Sequence, residues 1–264
     1  MIFLVKYTDV AGIWQAYQQF ATTSAIRRKG IELVGVTPMT PDGVPEPKDA
    51  IFFRGESDLE HQAKVAWLVA TFVACFGNDF FQLYEPNSFV ELWAIMMTGL
   101  CHDIGEAEMG DVPDDGSVSH MAKAEKERAV FGDMLRFLPT DYSIPMQLDF
   151  WSFQDLDGHN GRAIYALDKL EAVLTLLYYE KFGRTGMTTA KVEPTEADKY
   201  YMRVTRSNTA ADCWAAHMCA HIRKFPDSIK RPVLALLDAA VTDVRGAPFP
   251  WRKRDILPFE RLKR

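Results

Sequence analysis

Along most of this chain apolar residues recur at steps of three and four between recognisable caps, the period of helices that bury one face. A first helix is expected from Thr8 or Asp9 to the "RRKG" stop at Gly30. "IELVGV" (31–36) reads as a short strand or extended arm, and "TPMTPDGVPEPKD" (37–49) as a turn-rich connection. Ser57-Asp58-Leu59-Glu60 has the form of a capping box, so a second helix opens there and continues through "AKVAWLVATFVACF" to Gly77. Ser88 and Glu91 repeat the signal and open "FVELWAIMMTGLCHDIG", which places His102 and Asp103 in the last turn of an apolar helix.

The acid-rich "EAEMGDVPDDGS" interrupts the pattern as a loop or short turn. "SHMAKAEKERAVFGDMLRFLP" then forms an amphipathic helix ending at Pro139, followed by "PMQLDFWSFQDL" and a long helix, "GRAIYALDKLEAVLTLLYYEKFG", closed by Gly183. Three further helices are expected in "PTEADKYYMRVTRS", "TAADCWAAHMCAHIRKF" and "DSIKRPVLALLDAAVTDVRG". No internal repeat or low-complexity linker divides the chain. The economical reading is a mainly helical, all-α chain forming one domain over 1–264 with C-terminal additions.

Composition narrows the function classes. The hydrophobic share of 48% is that of a globular protein, and 264 residues can bury a sizeable core. A net charge of −6 argues against a protein that coats duplex nucleic acid, which needs clustered Lys and Arg. Cysteines 75, 101, 213 and 219 contain no CxxC pair, so they suggest reduced thiols in a cytoplasmic protein and neither a disulfide framework nor a zinc ribbon. No run approaches the ~18 apolar residues of a membrane-spanning helix, and the N-terminus lacks the features of a signal peptide.

Three separate predicted helices offer ligand-type side chains near their ends: His61 in a first turn, His102 and Asp103 in a last turn, and Asp168 in "ALDKLEA". Two imidazoles and two carboxylates make a nitrogen and oxygen set suited to Mn, Co, Fe, Ni or Zn. Asp168 interrupts an apolar run, where an unpaired carboxylate is costly and a cation would remove the cost. Each residue has a plainer reading too: His61 as an ordinary first-turn residue, Asp168 as a surface acid or as the partner of Lys169 or Arg162. Cys213, His217 and His221 recur at four-residue steps, but with no further ligand they read as a packed polar stripe. The basic tail "WRKR…RLKR" reads as a solvated terminus.

Three segments together resemble the HD-domain phosphohydrolases, and within them the branch of bacterial 5′-deoxynucleotidases and the HD-domain-containing protein 2 group. "RGESDLEH", Arg54 to His61, is similar to that branch's R-x-E-x-x-x-[DE]-H. "HDIGEAEMGDVP" matches HD-x-x-E-x-x-x-G-D-[LIV]-P at His102, Asp103, Glu106, Gly110, Asp111 and Pro113, and "ALDKLEA" resembles the stretch around the family's final aspartate. The resemblance covers roughly residues 50–182 and implies that this stretch is the metal-binding core of an HD-type helical bundle, with 183–264 as a C-terminal helical extension, and that His61, His102, Asp103 and Asp168 bind one divalent metal. It further implies hydrolysis of a phosphomonoester of the (deoxy)nucleoside 5′-monophosphate class, with dimerisation as a family expectation.

In that reading Glu106 orients or deprotonates the attacking water, and Asp111 protonates the leaving 5′-oxygen or contacts the sugar. Arg54 would hold the phosphate through bidentate hydrogen bonds. The branch carries an Arg-Trp pair about fifteen residues before the first His, where this chain has Glu46-Pro47-Lys48. Lys48 is therefore the expected substitute, with Lys123 or Lys169 as other cations. Glu108, Asp114 and Asp115 read as solvated. Hydrolysis of another nucleotide, such as an alarmone, and a non-catalytic metal-stabilised nucleotide sensor are the alternatives; Glu106 favours an enzyme, since a pure binder has no need of a water-handling acid.

Overall fold

A computed structural model describes Trp14 and residues 58–83, 88–103, 120–135, 140–181, 196–252 and 256–259. Within these residues the chain forms eight α-helices and no strand: α1 (Asp58–Phe76), α2 (Phe89–Cys101), α3 (His120–Leu135), α4 (Thr140–Asp155), α5 (His159–Glu180), α6 (Glu196–Thr205), α7 (Ala210–Ile222) and α8 (Asp227–Arg245), with a 3₁₀ turn at Gly77–Asp79. The expected all-α class is therefore observed. None of the described helices is long and apolar enough to cross a membrane. The Ser57 cap, the arm at 31–36, the connection at 37–49 and the acid-rich loop lie outside the described residues. Of the expected first helix only Trp14 is described; it is helical and buried, and its indole donates to Asp243 at 2.8 Å.

The centre of the bundle is α5. Ala163, Ile164, Ala166, Leu167, Leu170, Val173, Leu174 and Leu177 are all fully buried, and a helix apolar on more than one face must be surrounded. It packs against α1, α2, α4, α7 and α8. One continuous core joins α5 to Leu68 and Phe72 of α1, Met218 of α7, and Leu236 and Leu237 of α8. A second cluster seals α2 against α3 and α4 around Phe131 and Phe150, whose rings stack at 4.0 Å.

Local chemistry explains where these helices begin and how closely they approach. Ser88 caps α2, its hydroxyl accepting from the Glu91 amide, as the S-x-x-E signal implies. Helix α4 starts at Thr140 and contains Pro145 in its second turn, where the missing N–H removes the helical hydrogen bond to the Asp141 carbonyl. Glycine permits two close crossings. A Cβ on Gly99 would lie 3.0 Å from Val69 Cγ2, and one on Gly161 would lie 2.2 Å from the Ser152 carbonyl, well inside contact distance. The first brings α2 onto α1, and the second brings α5 onto the end of α4.

At the other end of the bundle Arg245 locks α8 in place. Its guanidinium donates to both carboxylate oxygens of Glu180, at 2.5 and 2.7 Å, and to Asp212 at 2.9 Å. Asp212 also accepts from the buried indole of Trp251 at 2.5 Å, tying the segment after α8 to the start of α7.

Candidate metal centre

Packing of α1 and α2 on α5 brings His61, His102, Asp103 and Asp168 together, although 107 positions separate the first from the last. His61 lies in the first turn of α1, His102 is the C-cap of α2, and Asp168 sits midway along α5. His61 Nε2 is 3.2 Å from His102 Nε2, 3.0 Å from Asp168 Oδ1 and 3.7 Å from Asp103 Oδ2. His102 Nε2 is 3.0 Å from Asp103 Oδ2 and 3.5 Å from Asp168 Oδ1. The two rings meet edge to face, with centroids 5.1 Å apart, and His102 makes a second edge-to-face contact with Phe153 at 5.5 Å.

The opposite nitrogen of each ring is committed. His102 Nδ1 lies 2.9 Å from the Gly99 carbonyl, which can only accept, so Nδ1 carries a hydrogen. His61 Nδ1 lies 2.6 Å from Glu171 Oε2, which makes it the donor to that carboxylate. In the neutral rings both Nε2 atoms are therefore bare, and they face two carboxylate oxygens. Four lone-pair atoms converge with no hydrogen between them, an arrangement that repels unless a proton or a cation occupies the gap. Two imidazole nitrogens and two carboxylate oxygens form the donor set of a borderline divalent ion. The residues present thus fit a metal, and His61, His102 and Asp103 have ligand atoms within 4.8 Å of one another.

The protonation preferences express the same crowding. Burial alone would lower His61, but the hydrogen bonds it donates to Asp168 and Glu171 outweigh it and hold the imidazole well above its usual value. Burial also opposes the His102 imidazolium; Asp103 and Asp168 override it and lift the group to about 10. Asp168, despite its burial, is held well below the carboxylate range by Lys169 and the two histidines. Asp103 is lowered against burial chiefly by His102.

Asp168 is at once a facing group to the histidines through Oδ1 and the partner of Lys169 through Oδ2, at 2.9 Å. Arg162, the other partner considered for it, instead donates to the Leu156 carbonyl at 2.8 Å. The Lys169 side chain is 29% exposed overall, but its ammonium pairs with buried Asp168 and sits 5.1 Å from the centre of the Tyr165 ring, which places a cation beside the centre. Next to it, His217 Nε2 and His221 Nε2 are 2.9 Å apart, His221 Nδ1 lies 3.3 Å from the Tyr165 hydroxyl, and Tyr201 stacks on His217. Burial, with His221 and Lys169 nearby, pushes His217 down to about 3. No third ligand-type side chain joins these two histidines among the described residues.

Arg54, Lys48, Glu106 and Asp111 lie outside the described residues, as do Glu108, Asp114, Asp115 and the Lys123 side chain. A group not anticipated from sequence stands behind His61: Glu171, fully buried, with Lys64 and Thr175 around it. The available signal was spacing. Glu171 follows Asp168 by three positions, on the same face of the helix, and a buried carboxylate requires a partner. A separate cavity of about 630 Å³ between α2 and α4 is lined by Glu91, Asp149, His159 and Asn160; burial, with Glu91 adding to it, pushes Asp149 up to about 7.

Residues 51–205, more than half of the chain, match the family model of the HD domain, and the protein belongs to that family. HD domains bind divalent metals and are in general metal-dependent phosphohydrolases. The chain matches no curated protein and no solved structure.

Proposed function

We propose that the protein is a divalent-metal-dependent phosphohydrolase that removes phosphate from (deoxy)nucleoside 5′-monophosphates, with His61, His102, Asp103 and Asp168 as metal ligands. The observation that carries the metal assignment is the convergence of His61 Nε2, His102 Nε2, Asp103 Oδ2 and Asp168 Oδ1 with both Nδ1 atoms already committed elsewhere. A divalent ion held there would polarise a phosphoryl oxygen and make hydroxide available from water near neutral pH.

The chain's own residues supply the rest. Lys169, beside Asp168, is placed to neutralise a phosphate oxygen. Arg54 would add a bidentate clamp and Lys48 a further cation. Glu106, four residues after His102, would take the proton of the attacking water, and Asp111 would return one to the leaving 5′-oxygen or bind the sugar. The nucleotide class rests on the match of "RGESDLEH" and "HDIGEAEMGDVP" to the deoxynucleotidase pattern.

The test is metal analysis followed by phosphate release from a panel of dNMPs, NMPs, alarmones and simple phosphoesters with Mn, Co or Zn, using Asp103→Ala as control. Turnover of monophosphates that is lost in Asp103→Ala is expected. Metal loading with no turnover on any substrate would instead identify a sensor, and unchanged turnover in Asp103→Ala would refute the site.

A further inference from the structure

Behind His61, one of the four converging residues, the centre contains a buried ionic cluster. Glu171 Oε2 accepts from His61 Nδ1 at 2.6 Å, and its other oxygen, Oε1, accepts from the Thr175 hydroxyl at 2.6 Å. The Lys64 ammonium donates to Thr175 Oγ1 at 3.1 Å and lies 3.6 Å from Glu171 Oε1. Glu171 is fully buried and the Lys64 side chain is only 5% exposed, so both charges are out of water. Such a pair is seldom a source of stability, because desolvation offsets its attraction. Its retention therefore calls for another account.

Helical spacing supplies one. Lys64 follows His61 by three residues on α1, and Glu171 and Thr175 follow Asp168 by three and seven on α5, so each helix presents one layer to the converging atoms and the next layer to this cluster. A carboxylate on Nδ1 can only accept, which leaves Nε2 as the ring's free lone pair. It also sets the plane of the ring, since Thr175 and Lys64 fix the carboxylate from behind.

We propose that Glu171, anchored by Lys64 and Thr175, is a positioning residue of the metal centre: it holds His61 in the Nδ1–H tautomer with Nε2 turned towards His102, Asp103 and Asp168. This rests on the metal-binding reading above. Carboxylates behind metal-bound histidines act in this way, and their loss lowers metal affinity by about 10–100-fold.

The test uses the full chain and Zn²⁺, with affinity measured by chelator competition and the imidazole ¹⁵N–¹H spectrum recorded on the zinc-loaded protein. Lys64→Met/Glu171→Leu removes both charges together and leaves none unpaired in the core. In that variant zinc affinity should fall about 10–100-fold, and the protected His61 Nδ1–H signal of the wild type should disappear, while far-UV circular dichroism is unchanged. Glu171→Gln, whose amide oxygen can still accept, should keep the Nδ1–H signal and lose less affinity than the double variant. Wild-type affinity with a retained Nδ1–H signal in the folded double variant overturns the positioning role and leaves the metal assignment standing. Absence of zinc binding in the wild type overturns both. Should the double variant not fold, unchanged affinity in Glu171→Gln decides against the proposal.

Discussion

Metal uptake should be steeply dependent on pH, because a cation and protons compete for the same four atoms. In the cation-free protein His61 is held well above its usual value and His102 is lifted to about 10, so the converging atoms hold protons at neutral pH. A metal ligand must present a bare Nε2, so binding displaces these protons. If only one leaves, affinity rises about tenfold per pH unit, or about 100-fold from about pH 6.5 to about pH 8.5, equivalent to about 2.7 kcal/mol; displacement of two squares the factor. The folding linkage of the cation-free protein runs the opposite way. The raised His102 value contributes stability to the cation-free protein that is fully present below the ordinary histidine value and is lost as pH rises through about 10. Added metal should therefore raise the melting temperature more at alkaline pH than at mildly acidic pH. Isothermal titration with Mn²⁺ across this range, repeated in two buffers of different ionisation enthalpy, counts the released protons directly. Affinity independent of pH, with no proton release, would refute the reasoning.

Three further outcomes follow from the packing. Gly161→Ala places a methyl against the Ser152 backbone, so α4 and α5 must separate, costing at least about 1–3 kcal/mol in urea unfolding. Asp149→Asn should stabilise the protein above about pH 7 and leave it unchanged near pH 4, because the raised value of the native acid makes its stability contribution fade between those limits; thermal melts at the two pH values check it. Arg245→Met strips Glu180 and the buried Asp212 of their shared cation and should cost about 2–4 kcal/mol, measured by chemical denaturation of the cation-free protein.

The parts of the centre legible in the sequence were those marked by local signals. His102 follows an apolar, Ser88-capped helix, and Asp168 stands out because an acid interrupts a run of buried positions; both facts are visible within a dozen residues. Glu171 was not picked out, although it shares that helix, because "DKLEA" also suits an ordinary amphipathic surface. Its role depends on α1 packing alongside it and delivering His61 and Lys64 from 110 and 107 positions away. The two readings of Asp168, ion-pair partner and facing group, turned out to be compatible, because a carboxylate has two oxygens and the fold uses one for each. The crossing at Gly161 was invisible for a similar reason: a glycine two residues into a helix carries no sign of which backbone will press on it.

The separation of the four converging residues along the chain also has a kinetic meaning. His61 and His102 are 41 positions apart, and His61 and Asp168 107, so a cation touching all of them is a cross-link between three helices that must first have docked. Interactions formed only after the transition state act on the rate of escape from the native state and leave the rate of entry alone. A bound ion would thus lengthen the lifetime of the folded protein without helping it fold, and its signature would be a shift of the unfolding limb alone.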